Sequence, residues 1–301
     1  MKELVIVGGG PAGMAAGIYI GRYRRDAVLL TEELGGQLAL ITELDNYPGF
    51  PQGTSGPTLA ALMQQQVERF GMEFRFDRVL SVDFSRQPLT LFTEAGKVET
   101  RAVILATGTA PRKLEVPGED RFLGQGISYC ATCDGFFYRG KEVAVVGGGN
   151  YAVEEALALT RFATHITIIP EREALWAVPE LQERVAQRQD VTVLANAEVT
   201  EVLGNQTVAG IRVRDRTTGA TRDVPVEGVF VYRGRSPNSG FVADWLERDE
   251  RGYIVAEESG ATAVPGVFVA GSVRRGTPGQ VATCVGSGAT AALTAERFVA
   301  Q

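Results

Sequence analysis

One pattern, written twice, limits what this chain can fold into. Leu4-Val5-Ile6-Val7 runs into Gly8-Gly9-Gly10-Pro11-Ala12-Gly13 and then a helix-forming stretch. Glu142-Val143-Ala144-Val145-Val146 runs into Gly147-Gly148-Gly149-Asn150 and a second such stretch. An apolar β-branched run, then glycines, then helix formers reads as strand, tight turn and helix. Each copy has a further strand downstream: Ala27-Val28-Leu29-Leu30 after the first helix, His165-Ile166-Thr167-Ile168-Ile169 after the second. That completes two βαβ units, which favour parallel sheets. The copies lie roughly 140 residues apart, so they predict two dinucleotide-binding domains rather than a short-period array. The expected fold class is α/β, with two Rossmann-like, three-layer ββα domains.

Between the copies, residues 74–82, 89–93 and 98–106 alternate apolar and polar and are separated by turn residues, which predicts an antiparallel meander. A similar pattern recurs over 191–232, broken at Gly204-Asn205 and Thr218-Gly219, so each domain is expected to carry a small β insertion. A strand at 266–271 and a helix from Gln280 to about Ala300 would return to the first domain if the second domain is an insertion. The expected boundaries are 1–113 with 243–301 for the first domain and 114–242 for the second.

Composition narrows the function classes. The 36 glycines are aperiodic and cluster beside apolar runs, which excludes collagen and suits loops that approach a cofactor closely. A net charge of −6 with no basic run argues against a nucleic-acid partner. No stretch reaches the ~18 apolar residues of a membrane span, and the N-terminus reads as a strand rather than a signal peptide. The default expectation is therefore cytoplasmic. Three cysteines are too few for a disulfide scaffold. Cys130 and Cys133 sit three apart, and only Cys284 and His165 remain to complete a metal site. Neither supplies a second ligand pair, so redox chemistry is preferred to zinc and no metal is expected.

The glycines of Gly8-x-Gly10-x-x-Gly13 permit a tight turn, and the following helix N-terminus suits a pyrophosphate. The bland alternative is a turn used only for packing. Glu32, in Thr31-Glu32-Glu33, stands where an acid often meets ribose hydroxyls, and a solvated loop acid competes with that role. Cys130-Ala131-Thr132-Cys133-Asp134 is the most informative segment. Thiol–disulfide exchange needs a thiolate, an accessible sulfur and a proton source, and Asp134 stands beside the pair. Two buried structural thiols are the alternative. Cys284 reads as a structural thiol and His165 as a surface or packing residue.

The segment from Cys130 to Tyr138 resembles the active-site motif of low-molecular-weight thioredoxin reductases, and the likeness covers essentially the whole chain. Gly35-Gly36-Gln37-Leu38, Asn46-Tyr47-Pro48-Gly49-Phe50, Ala106-Thr107-Gly108 and Gly234-Arg235-Ser236-Pro237-Asn238 are similar to further segments of that family. The resemblance implies FAD held by Gly8, Gly10, Pro11, Ala12, Gly13, Glu32, Gly36, Gln37, Leu38, Asn46, Val79, Thr107, Gly108, Gly271, Ser272, Gln280, Val281 and Ala282. It implies a homodimer, an FAD domain built from both chain ends with the second domain inserted in the first, rotation of the two domains, and thioredoxin as electron acceptor. Cys133 would lie against the flavin as the charge-transfer thiolate, Cys130 would attack the partner disulfide, and Asp134 would be the general acid/base.

Departures from the family pattern fall mainly on the electron donor. Where the family carries His-Arg-Arg and a further arginine for the NADPH 2′-phosphate, this chain reads Pro170-Glu171-Arg172 and Trp176. A carboxylate beside a phosphate is repulsive, which counts against NADPH. Tyr151 and Trp176 add flat apolar area that can stack on an aromatic ring or fill an abandoned site. Gly147, Gly149, Asn150, Tyr151, Glu171, Arg172, Trp176 and Arg235 form the expected second nucleotide or flavin site. On the FAD side, Gly271-Ser272-Val273 replaces Gly-Asp-Val, and Gly279-Gln280 replaces Arg-Gln. The loss of arginines is similar to that in pyridine-nucleotide-independent relatives, which implies a ferredoxin or other donor, or a second FAD in the central domain. A flavin-binding redox sensor is the competing class.

Overall fold

The computed structural model describes residues 1–41 and 44–301. The chain divides into two compact units, Met1–Ala110 with Ser236–Gln301, and Pro111–Arg235.

In the first unit, Glu73–Phe76, Ala27–Leu34, Lys2–Gly9, Gly96–Leu105 and Val267–Val269 pair in parallel in that order. Val5 stands opposite Val28 and Val103. A parallel strand is covered on both faces and so reads as an unbroken apolar run. Accordingly Leu4, Val5 and Ile6 are fully buried. On one face, Leu4, Ile6 and Leu29 meet Met14 and Ile20 of the helix Pro11–Arg22, Met63 of Gly56–Arg69, and Ala291 and Ala295 of Val281–Val299. On the other, Val5, Val7 and Val28 meet Leu89, Leu91, Val242 and Leu246. Each fully buried large aliphatic side chain contributes about 1.5–3 kcal/mol. The closing helix crosses the first helix backbone to backbone. A Cβ on Gly288 would stand 2.1 Å from the Ala12 carbonyl, so only glycine fits at that crossing.

The expected strand over 74–82 is two strands. Glu73–Phe76 extends the parallel sheet beside Ala27–Leu34. Val79–Asp83 pairs antiparallel with Leu89–Thr93, which pairs antiparallel with Gly96–Leu105. The corner is Asp77. Its N–H donates to the Thr31 carbonyl at 3.0 Å, and its carboxylate accepts from Ala95 N–H at 3.2 Å. Two polar residues, Asp77 and Arg78, then two apolar ones, Val79 and Leu80, break the alternation at the corner.

In the second unit, Val191–Val193, His165–Ile169, Glu142–Val146, Gly228–Val231 and Ile127–Ser128 form a parallel sheet in that order. The helices Asn150–Leu159 and Pro179–Ala186 cover one face through Val153, Ala156, Leu159, Leu181 and Val185. A three-stranded antiparallel sheet, Ala197–Gly204, Val208–Asp215 and Thr221–Val224, covers the other through Val199, Val202, Ile211 and Val213. The three-layer arrangement follows from that second sheet. Among the described residues no helix is long and apolar enough to cross a membrane.

Candidate functional site

Cys130 and Cys133 are joined in a disulfide with Cα atoms 5.3 Å apart. Cys130 follows the strand Ile127–Ser128 and caps the short helix Ala131–Asp134, its Sγ accepting from Cys133 N–H at 3.1 Å. Ser128, itself buried, ties the turn down: its hydroxyl accepts from Cys130 N–H at 3.0 Å and donates to the Cys130 carbonyl at 3.1 Å. Cys130 is buried, and Cys133 is exposed. Asp134 is half-buried, and its N–H donates to the Cys130 carbonyl at 3.2 Å. The structure thus places both sulfurs and an acid on one turn. Phe136 and Phe137 stand exposed beside it. Behind the turn, Glu155 and Tyr232 accept from Ala131 N–H. Sequence reasoning missed these two residues. They lie 77 residues apart, and no local pattern joins them.

The first glycine loop sorts its glycines by role. Gly8 has φ +113, and a Cβ there would meet the Ala106 carbonyl at 2.3 Å. A Cβ on Gly13 would meet the Gly8 carbonyl at 1.8 Å, so Gly8 and Gly13 let strand and helix close up. Gly10 differs: the nearest atom to its Cβ direction is the Gly35 carbonyl at 4.0 Å. Open space therefore borders a helix N-terminus that has no side-chain cap, an arrangement that suits a pyrophosphate. Thr31, also missed, braces the loop by accepting from Gly9 N–H at 3.0 Å. Glu32 is exposed, with the Arg78 guanidinium 3.7 Å away.

Polar residues from distant segments gather in the same unit. Gln37 donates to the Thr109 hydroxyl at 2.9 Å, and Asn46 donates to the Gln280 side chain at 3.2 Å. Gly108, at φ +65, would place a Cβ 3.7 Å from both the Gln37 amide nitrogen and the Ser272 hydroxyl. The Thr107 hydroxyl donates to the Asn238 carbonyl at 2.7 Å, and Gly271 N–H donates to the Ser287 hydroxyl at 2.8 Å. Gly36 has φ +49, Leu38 is buried and Val79 is half-buried. Gln280 caps the closing helix, so Val281 and Ala282 form its first turn. An open glycine cradle with Gln37, Asn46, Ser272 and Gln280 around it fits a dinucleotide with a polyhydroxylated linker, as in FAD. Cys284 is a free buried thiol pushed up to about 11 by burial, with a small opposing effect of the Ser272 N–H.

The second glycine loop has the same backbone and a different neighbour. Gly147, at φ +138, would place a Cβ 2.4 Å from the Tyr232 carbonyl. Cβ atoms on Gly148 and Gly149 would each meet the Trp176 indole at 2.8 Å. The Trp176 backbone N–H also donates to the Gly148 carbonyl at 2.8 Å, and the Arg172 guanidinium lies 4.4 Å from the indole centroid. The glycines here make room for an aromatic side chain of the protein itself. Asn150 accepts from Val178 N–H at 2.9 Å. Glu171, at φ +55, pairs with Arg233 at 2.7 Å, and that guanidinium also donates to the Leu114 carbonyl at 2.6 Å. Tyr151 packs edge-on against Tyr232 with ring centroids 5.0 Å apart and hydrogen bonds with Arg235. Burial, then the Glu155 charge, pushes its phenol up.

Two nucleotide-type loops, one open and one occupied by a side chain, together with a Cys-x-x-Cys disulfide, define a nucleotide-dependent disulfide oxidoreductase. The family model for pyridine nucleotide-disulphide oxidoreductases matches residues 2–288. The chain is 41% identical over 303 residues to the thioredoxin reductase of Mycolicibacterium smegmatis, covering 100% of this chain and 97% of that one. Its fold is similar to the crystal structure of Lactococcus lactis thioredoxin reductase, with TM-score 0.97, 36% identity, and 100% and 99% of the two chains covered. The crystal structure of T. acidophilum thioredoxin reductase gives TM-score 0.95 and 33% identity at the same coverage. The chain belongs to the thioredoxin reductases of low molecular weight, within the pyridine nucleotide-disulphide oxidoreductase family.

Proposed function

We propose that this protein is an FAD-dependent disulfide oxidoreductase of thioredoxin reductase type that passes electrons to Cys130–Cys133 and on to thioredoxin or a similar protein disulfide. The observation that carries this reading is the bonded Cys130–Cys133 pair with Asp134 on the same turn, in a chain whose N-terminal glycine loop keeps an open cradle. When bound, FAD supplies a two-electron carrier. The chain's own residues do the rest. Gly10 leaves its backbone open to the pyrophosphate, and Gln37, Asn46 and Gln280 offer polar groups to the linker. The reduced pair supplies the thiolate that attacks an acceptor disulfide, and Asp134 supplies the proton for the leaving sulfur. Following the family roles, Cys133 is the flavin-side sulfur and Cys130 the interchange thiol. Because Cys130 is the buried member, it must gain exposure before it meets a protein disulfide.

The donor in this proposal is not NADPH. Trp176 rests on the second glycine loop, and by the family resemblance Glu171 takes the position of a 2′-phosphate arginine. A carboxylate and a phosphate about 4 Å apart near a protein surface repel by about 4 kcal/mol. Of the nearby cations, Arg233 is engaged by Glu171 and Leu114, and Arg172 lies over the Trp176 indole. A small electron-transfer protein such as a ferredoxin is therefore the preferred donor. A second FAD ranks below it, because Tyr151 packs on Tyr232 and Trp176 covers the glycines. The proposal extends to a homodimer in the cytoplasm, where light scattering on the purified protein tests the assembly. Anaerobic turnover with a reduced ferredoxin and thioredoxin tests the activity. New thioredoxin thiols are expected with ferredoxin and none with NADPH. A flavin-loaded protein that reduces no disulfide with any donor is the redox sensor instead.

A further inference from the structure

Behind the redox turn lies a buried polar triangle that the electron route above does not use. Ala131 N–H donates to Glu155 Oε2 at 3.1 Å and to the Tyr232 hydroxyl at 2.9 Å. The Tyr232 hydroxyl donates in turn to the same carboxylate oxygen at 3.0 Å. Ala131 is 2% exposed, Glu155 4% and Tyr232 8%. A carboxylate this buried persists because donors converge on it. Tyr232 is itself fixed, with its N–H on the Val146 carbonyl at 2.7 Å and its ring against Tyr151. Burial and the Glu155 charge push its phenol well up, so it stays a donor.

Ala131 directly follows Cys130, and its N–H is turned to the carboxylate; the N–H that reaches Cys130 Sγ is that of Cys133, at 3.1 Å. A negative charge behind Cys130 disfavours a second negative charge on its sulfur. Cys133 is one turn further along and exposed to solvent. Other charged and titratable groups around the triangle are Tyr151 and Glu154 on the helix Asn150–Leu159, and Arg235, which acts on Tyr151. On the redox turn, Asp134 acts on Tyr138.

We infer that Glu155, held by Tyr232, is a positioning residue that decides which sulfur keeps the proton when the pair is reduced: Cys130 as thiol, Cys133 as thiolate. The inference rests on the disulfide-oxidoreductase reading. Two electrons from the reduced cofactor enter the pair and the S–S bond breaks. One proton goes to Cys130 Sγ, and the negative charge remains on Cys133 Sγ. Asp134 then removes the Cys130 proton only when that sulfur attacks an acceptor.

The test is a pH series of iodoacetamide alkylation on the FAD-loaded protein after phosphine reduction, with each cysteine quantified by peptide mass. Only thiolate reacts, so the midpoint pH reports ionisation rather than access. In the native protein the Cys133 midpoint is expected below that of Cys130. Glu155→Gln keeps the shape and removes the charge, and should lower the Cys130 midpoint by about one pH unit. Tyr232→Phe weakens the hold on the carboxylate and should move the midpoint the same way by less. An unchanged Cys130 midpoint in both variants overturns the inference. If Glu155→Gln fails to retain flavin, Tyr232→Phe decides alone, and an unmoved Cys130 midpoint in it is the overturning result. Thioredoxin turnover on the same preparations separates the two readings. Flat profiles with turnover intact remove only this inference, whereas shifted profiles without turnover leave it standing and remove the acceptor.

Discussion

Gly10 and Gly149 occupy the same step of two strand–loop–helix units. Each precedes the first helical turn, with φ/ψ of −76°/−176° and −85°/178°, and neither helix has a side-chain cap. The backbones agree, and their surroundings do not. Open space borders Gly10, whereas the Trp176 indole would stand 2.8 Å from a Cβ on Gly149. A glycine motif therefore specifies a backbone path, and the ligand is decided by what the rest of the domain sets above it. In the second unit that decision is made by residues 170–176, a segment well downstream of the glycines.

The largest effect expected from this contrast comes from Gly10→Val against Gly149→Val. Gly10→Val fits the backbone and blocks the open cradle, so bound flavin per subunit, read from visible absorbance, should fall about tenfold or more. Gly149→Val should leave flavin content unchanged and cost about 1–3 kcal/mol of stability as the indole is displaced. Equal flavin loss in both would break the contrast. Next, Trp176→Ala combined with Glu171→Arg clears the second loop and restores a phosphate-binding cation. The rate of flavin reduction by NADPH should rise about 10- to 100-fold, with a smaller gain for NADH, in stopped-flow absorbance.

Ser272→Asp returns the carboxylate that the family pattern carries on the FAD side. A charge-assisted hydrogen bond is roughly twice as strong as a neutral one, so FAD should bind a few-fold more tightly in fluorescence titration.

The smallest effect concerns the strand Lys2–Gly9, which feeds the open loop. Hydrogen bonds from Lys2, then Arg75, hold the Glu73 carboxyl below its ordinary value of 4.5. A depressed carboxyl adds stability above its unfolded value and loses it as pH falls through the folded one. Hydrogen bonds to Asp26, then Glu73, hold Lys2 above 10.5, so its contribution is present below that value and is lost as pH rises through the folded one. These side chains are partly exposed, so the gain is under about 1 kcal/mol. Urea midpoints of the native protein and Lys2→Met should differ slightly at pH 7 and converge near pH 3.

Much of this was legible in the sequence for physical reasons. Unbroken apolar runs mark doubly covered strands, and glycines mark close approaches, so both loops and the redox turn could be located from residues alone. Tertiary relations were not legible. Trp176 was visible as a foreign residue, but its seat on Gly148 and Gly149 depends on how residues 170–178 fold back. Glu155 and Tyr232 are 77 residues apart, and no local pattern joins them.

The most direct test of a single open flavin loop coupled to a working disulfide is an anaerobic dithionite titration of the purified protein, counting electrons per subunit. One FAD and one redox-active pair together take up about four electron equivalents, with two thiols appearing at Cys130 and Cys133. Uptake of about two equivalents with no new thiols would contradict the account.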